Sequence, residues 1–221
     1  MSNVKVFIGT NNKAKFADAI RVAEDYPNLD IVGPADFEIA ADPEETGDTY
    51  YANAKLKRDF FINALRQLGK KHIYVIGDDG GIEIDALNGE PGIHSRRWKD
   101  SQNAMTDQEI IDYALERMAN VPEPDRTAHF AGVIALGHTD FDLDEELPFR
   151  LTGTLLTEPV SKGSNLDGYP FRRLFYMPNY EMMLSELSDL AVEDRPDGFL
   201  SHRELGLQRA FDAILELEQA Q

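Results

Sequence analysis

Apolar residues recur along this chain at two spacings, and the alternation between them orders the elements. Val4 to Ile8 is a short apolar run of strand length. The polar turn Gly9-Thr10-Asn11-Asn12 breaks it, and Lys13 to Glu24 then repeats apolar residues with a helical period. Ile31 and Val32 mark a short second strand. Past an acidic stretch, Tyr50 to Leu68 carries Ala54, Leu56, Phe60, Phe61, Ala64 and Leu65 at helical spacings, with Asp48 or Thr49 placed to cap the helix. His72 to Ile76 reads as a buried strand ended by an Asp-rich turn, Gly77-Asp78-Asp79-Gly80-Gly81. Beyond it Ile82 and Ile84 alternate with Glu83 and Asp85, so the turn joins two strands.

The second half continues the alternation of strand and helix. Asn88-Gly89-Glu90-Pro91-Gly92 is a turn cluster, and Thr106 to Ala119 is a helix whose cap, Thr106, has Glu109 three residues on. Ala128 to Leu136 and Phe149 to Leu156 are strands flanking the acidic loop Thr139 to Glu146, a hairpin excursion. Ser161 to Arg173 is loop-like, and Ser201 to Glu218 is a closing helix. No repeat, low-complexity tract or linker cuts the chain. The expectation is one α/β domain over residues 1–221.

Charge narrows the partners. With 22 Lys and Arg against 40 Asp and Glu, the formal charge is −18, which opposes attraction to polynucleotides and to anionic membranes. A small phosphorylated ligand stays compatible, because a local cluster of cations and backbone N–H groups holds an anion whatever the sum. Such acidity suits either adaptation to high salt or an ordinary solvated surface. The chain has no cysteine, so any metal must sit on oxygen or imidazole ligands. No segment approaches the roughly 18 apolar residues of a membrane span, and the expectation is a soluble, cytoplasmic protein.

Four constellations carry chemistry. At Gly9-Thr10-Asn11-Asn12-Lys13-Ala14-Lys15 a strand end meets a helix start, which gathers N–H groups, amides and ammonium groups for an anion, or else simply caps the helix. Glu44-Glu45-Thr46-Gly47, followed by Asn53, Lys55 and Lys57, offers carboxylates for Mg²⁺ beside cations for phosphate; plain dipole complementarity explains the same residues. The adjacent carboxylates Asp78 and Asp79 demand a compensating metal or proton unless the turn is exposed. One could bind Mg²⁺ while the other, raised in pKa by the repulsion, takes a proton from water. Ser201-His202-Arg203 can contact phosphate or a purine edge, or serve only as a helix start. Ser95-Arg96-Arg97-Trp98 offers cations and an aromatic ring, or a core Trp between surface arginines.

Taken in order, these segments resemble the inosine triphosphate pyrophosphatase family. Thr10, Asn12 and Lys15 match its opening Thr-x-Asn-x-x-Lys, and Glu45, Gly47, Asn53 and Lys57 match its Glu-Thr-Gly and Asn-Ala-x-x-Lys stretch. Asp78-Asp79-Gly80-Gly81 is similar to its Asp-Asp-Ser-Gly signature; Pro91-Gly92, Ser95, Arg97, Glu158-Pro159 and Ser201-His202-Arg203 continue the match. The resemblance implies an elongated mixed sheet with flanking helices, two lobes around a central nucleotide cleft, and a homodimer. It implies hydrolysis of non-standard purine nucleoside triphosphates such as ITP, dITP and XTP to monophosphate and pyrophosphate with Mg²⁺. Glu45 and Asp79 would hold the metal, with Asp78 a further candidate. Asp79, Lys15 and Lys57 would be catalytic. Thr10, Asn12, Asn53, Ser95, Arg97, Tyr169, Phe171, Arg172, Ser201, His202 and Arg203 would join the lysines in binding substrate.

The chain departs from that pattern at three places. Gly80 stands where the family has Ser, Arg172 where it has a base-contacting Asp, and Asp197 where it has Lys. The two reversed charges suggest either that Arg172 and Asp197 pair, or that they present opposite polarity to the base. The same chemistry on a different modified or standard triphosphate, or a non-catalytic nucleotide-binding module, are the alternatives.

Overall fold

The computed structural model describes residues 3–100, 103–163 and 168–220. Residues 164–167 of the expected 161–173 loop lie outside the described residues. The strands are β1 (Val4–Ile8), β2 (Leu29–Val32), β3 (Ile73–Ile84), β4 (Pro91–Gly92), β5 (Thr127–His138), β6 (Glu145–Leu155), β7 (Phe175–Met177) and β8 (Met182–Met183). The helices are α1 (Lys13–Ala23), α2 (Tyr50–Gln67), α3 (Asp107–Arg117), α4 (Leu184–Asp189) and α5 (His202–Gln219). The strands form one open mixed sheet in the order β2-β1-β3-β5-β6-β7-β8, with β4 paired to β3. β2, β1 and β3 run parallel, whereas β3–β4, β6–β7 and β7–β8 are antiparallel. This is the expected α/β class. Among the described residues no helix is long and apolar enough to cross a membrane.

The chain divides into two compact units. The first comprises residues 1–79, 132–149 and 203–221, and the second residues 80–131 and 150–202. In the first unit, Val6–Ile8 of β1 and Ile73–Ile76 of β3 are apolar at every position because both faces are covered there. Val6, Ile8, Tyr74 and Ile76 pack with Ala19 and Val22 of α1 and with Leu207, Ala210, Phe211 and Ile214 of α5. The intervening residues, Phe7, Ile73 and Val75, pack with Phe61, Ile62 and Leu65 of α2. Even-numbered β3 positions thus face α1 and α5, and odd-numbered ones face α2, as a period of two requires. In the second unit, Ile82 and Ile84 pack with Ile110, Ile111 and Ala114 of α3 and with Phe175, Leu184 and Leu187. Each large apolar side chain buried in these cores stabilises by about 1.5–3 kcal/mol.

The caps follow their chemistry. Asn12 accepts from the N–H groups of Ala14 and Lys15 at the start of α1, and Thr49, rather than Asp48, caps α2 through the Ala52 N–H. Thr106 and Glu109 form the expected capping box on α3. The short elements β7, β8 and α4 follow the 161–173 stretch and have too few residues to show a period.

The main correction concerns Gly77 to Gly81. No turn interrupts the chain there: β3 runs unbroken from Ile73 to Ile84. The reason is packing. A Cβ at Gly77 would stand 2.1 Å from the Ala54 carbonyl oxygen and 2.7 Å from the Arg58 nitrogen. The glycine is there because the backbone of α2 lies directly on the strand, a role a strand glycine commonly has. We expect Gly77→Ala to destabilise the fold by about 3 kcal/mol, since the clash is with backbone rather than a movable side chain. A lower urea midpoint at unchanged m-value checks this.

Candidate active site

The continuous strand decides where each carboxylate goes. Asp78 continues the even register and meets α1 and α5; Asp79 continues the odd register and meets α2. Asp78 Oδ1 accepts from Lys15 Nζ at 2.9 Å and its Oδ2 from Arg203 Nε at 3.2 Å. Asp79 Oδ2 accepts from Asn53 Nδ2 at 3.2 Å and its Oδ1 from Lys57 Nζ at 3.3 Å. Lys57 also donates to the Asp78 backbone oxygen at 3.0 Å and lies 2.8 Å from Glu45 Oε1. Both aspartates are buried, whereas the Glu45 side chain is 50% exposed. Neighbours in sequence, the two carboxylates have separate sets of partners.

Local chemistry holds these groups. The Gly47 N–H donates to Asn53 Oδ1 at 2.7 Å, which turns the Asn53 amide nitrogen toward Asp79. A Cβ at Gly47 would come within 2.6 Å of the Ala52 Cβ, so only glycine allows that approach. At the start of α1, Thr10 Oγ1 accepts the Asn12 N–H at 3.1 Å and Asn12 Oδ1 caps the helix. The turn caps the helix, and the cap leaves the Asn12 amide nitrogen uncommitted.

The electrostatics separate the two acids. Burial pushes the Asp78 carboxyl up, but the Lys15, Arg203 and Lys57 cations outweigh it and hold the group well below the usual carboxylate range. Asp79 is raised, first by burial and further by Glu45, against the opposing pull of Lys57. The expectation that repulsion within the Asp78–Asp79 pair lifts one of them therefore has the direction right and the cause wrong. Burial is the main reason, and the nearby Glu45 adds to it. Lys15 is pushed below its ordinary value by burial, with Arg203 and Lys57 adding to the effect and Asp78 opposing it. Lys57 is raised because Asp79, Asp78 and Glu45 together overcome its burial.

Arg203, expected to face a base, lies against Asp78 and within 3.3 Å of Asp18. Asp18, Arg21 and Glu204, absent from the sequence reading, form the surroundings of this arginine. Lys15, Asp18 and Arg21 are spaced by three residues along α1, the helical signal that places them on one side.

The remaining expected substrate residues belong to the second unit. Ser95 donates to the Gly92 carbonyl at 3.0 Å, and Arg97 is exposed. Trp98 packs edge-on to Tyr113, and Arg96 pairs with Asp107, so this string is a partly buried Trp between surface arginines. Phe171 is buried in the core of that unit. Arg172 is buried with its guanidinium 4.5 Å over the Tyr169 ring. Ser201 is buried, and His202 stacks on Phe130 at 4.6 Å between centroids. Asp197 is exposed with a left-handed backbone, φ 51°. Among the described residues it makes no ion pair with Arg172. The pairing expectation fails because one partner is solvated and the other stacked on an aromatic ring.

Two adjacent buried carboxylates in the middle of an interior strand, with two lysines and a capped helix start around them, make up the candidate site of this mixed α/β protein. The chain belongs to the Ham1 family, whose model matches residues 6–213. It is 31% identical over 199 residues to a dITP/XTP pyrophosphatase of Staphylococcus aureus, covering 90% of each chain. A dITP/XTP pyrophosphatase of Corynebacterium efficiens is 32% identical over 219 residues, 97% of this chain and 99% of that protein. The solved structure of the Staphylococcus aureus Ham1 protein superposes with a TM-score of 0.73 at 30% identity, over 97% of this chain and 99% of that one.

The opposite shifts give opposite stability effects. Asp78, with its folded pKa depressed, contributes stability that is present above the unfolded carboxyl value and is lost as pH falls through the folded one. Asp79, with its folded pKa raised, costs stability that builds as pH rises from the unfolded carboxyl value and is complete above the folded one. Asp78→Asn should therefore lower the urea midpoint at pH 7, whereas Asp79→Asn should leave it equal or higher. The Asp79→Asn gain should shrink as pH falls toward the unfolded carboxyl range, which urea titrations at several pH values would measure.

Proposed function

We propose that residues 1–221 form a single nucleoside triphosphate pyrophosphatase domain that hydrolyses ITP, dITP and XTP to the monophosphate and pyrophosphate. The names carried by the similar proteins support the substrate class. The observation that carries the chemistry is the division of labour between neighbouring acids: Asp78 is tied to Lys15 and Arg203, and Asp79, raised in pKa, is held by Asn53 and Lys57. Held beside Glu45 by Asn53 and Lys57, Asp79 is placed to act on water, and its partner keeps the cations in position.

Glu45 and Asp79 share the Lys57 ammonium. Two hard oxygen donors on one side of a phosphate-binding lysine fit Mg²⁺, which takes one or two carboxylates and completes its shell with water and substrate phosphate. Bound there, Mg²⁺ would neutralise phosphate charge and acidify a coordinated water.

In this reading water attacks between the α and β phosphates. Asp79 accepts its proton, with Asn53 and Lys57 fixing which oxygen faces the water. Lys15 and Lys57 balance the charge that redistributes over the phosphate oxygens in the transition state. Asp78 keeps Lys15 and Arg203 in place, and Thr10 and Asn12 set the start of α1 against the phosphates. Ser95, Arg97, Tyr169, Phe171, Arg172, Ser201 and His202 keep the substrate-binding role that the resemblance implies, and the same resemblance makes the protein a cytoplasmic homodimer.

Purified protein with Mg²⁺ should release pyrophosphate from ITP, dITP and XTP in preference to the standard triphosphates. Asp79→Asn should lower kcat by about 10²–10⁴-fold, the range for loss of a general base. Release unaffected by that substitution would sink the mechanism, and a preference for another base would point to Arg172 and redirect the substrate.

A further inference from the structure

Arg203 contacts Asp78 from one side only; on the other it is anchored. Its Nη1 lies 3.3 Å from Asp18 Oδ2, and the other Asp18 oxygen accepts from Arg21 Nη2 at 2.8 Å. Arg21 Nε in turn donates to Glu204 Oε1 at 2.7 Å. Glu204 is 1% exposed, although the Arg21 side chain is 36% exposed. From Glu204 through Arg21, Asp18, Arg203 and Asp78 to Lys15, six charges of alternating sign follow one another across α5, α1 and β3.

This arrangement is more than a tie between two helices. A carboxylate as buried as Glu204 is costly unless it is well compensated, and the guanidinium that compensates it is the one that also fixes Asp18. Arginine suits that place, because its planar fork presents separate N–H groups to two carboxylates at once. Asp18 is thereby held with its second oxygen toward Arg203. Through Asp18, Arg21 is thus linked to Arg203, and through Arg203 to Asp78 and Lys15.

We infer that Arg21 and Glu204 are positioning residues for the pyrophosphatase reaction, acting through Asp18 and Arg203 to set Asp78 and Lys15 in the geometry that turnover needs. This inference rests on the proposed pyrophosphatase activity. Neither residue touches substrate in it, so their loss should appear in kcat and not in KM.

The test uses the full chain, with dITP and Mg²⁺, and thermal unfolding measured on each variant. Arg21→Gln should lower kcat by about tenfold, the scale on which small misplacements act, with KM changed by less than about threefold. Its melting temperature should stay within a few degrees of the unsubstituted protein, because Arg21 is partly solvated. Glu204→Gln should act in the same direction. On an Asp18→Asn background, Arg21→Gln should cost nothing further, since the path from Arg21 to Arg203 is already cut. Unchanged kcat in Arg21→Gln overturns the inference while the activity stands. So does a loss that adds fully to that of Asp18→Asn and tracks a fall in melting temperature, which makes the pair a helix tie only. If the unsubstituted protein releases no pyrophosphate, the activity itself fails, and the inference with it.

Discussion

The structure of the candidate site depends on one constraint: β3 does not turn at its acidic pair. A strand alternates its side chains, so two adjacent carboxylates on an unbroken strand must diverge. Had the chain turned at Gly77, as its composition suggests, Asp78 and Asp79 could have crowded one cation and each raised the other's pKa. Instead Asp78 is delivered to α1 and α5, which carry Lys15 and Arg203, and Asp79 to α2, which carries Asn53 and Lys57. Gly77 permits this by letting the α2 backbone lie on the strand. One packing contact thus sets both the course of the chain and the chemical difference between neighbouring residues.

Much of the fold was legible because the elements carrying it are long and periodic. α2 and α5 have enough turns to repeat their apolar positions, and the capping box at Thr106 and Glu109 is a local signal that needs no tertiary context. The Gly77–Gly81 stretch was misread for a physical reason. Two Asp and three Gly disfavour a strand by propensity, and the packing that overrides propensity involves Ala54 and Arg58, residues distant in sequence. The alternation itself was present past the acids, in Ile82 and Ile84, and a strand carried through would have separated the acids correctly.

The candidate site divides along the same line. Lys15, Glu45, Asn53, Lys57, Asp78 and Asp79 could be named from motif order, and the structure brings them into contact in the first unit. What the sequence left out were the partners that carry no motif. Asp18 and Arg21 look like surface charges of an amphipathic helix, and Glu204 like a favourable acid in the first turn of α5. Only the long-range contacts, between residues such as Arg21 and Glu204, show that these charges are linked. Arg172 is a converse case. Its replacement of an expected acid was visible, yet its stacking over Tyr169, three residues back in the same turn, carries no motif.

In the proposed reading, a chain with formal charge −18 receives a triphosphate at a site whose cations are already paired and oriented. Lys15 and Arg203 lie on Asp78, and Lys57 lies on Asp79 and Glu45. Pairing keeps buried cations charged and oriented, which an unpaired ammonium in the same surroundings would resist. It also sets a condition on binding. An anion that draws Lys57 toward itself removes the shared cation of Asp79 and Glu45, leaving two carboxylates facing each other. In the proposed reading, a divalent cation arriving with the phosphates replaces that charge. An anion bound without such a cation leaves it missing. In that reading, the arrangement favours a ligand that brings negative phosphate and positive metal together over either alone. That preference comes from the pairing around Lys57, and the pairing comes from the strand that points Asp79 toward α2.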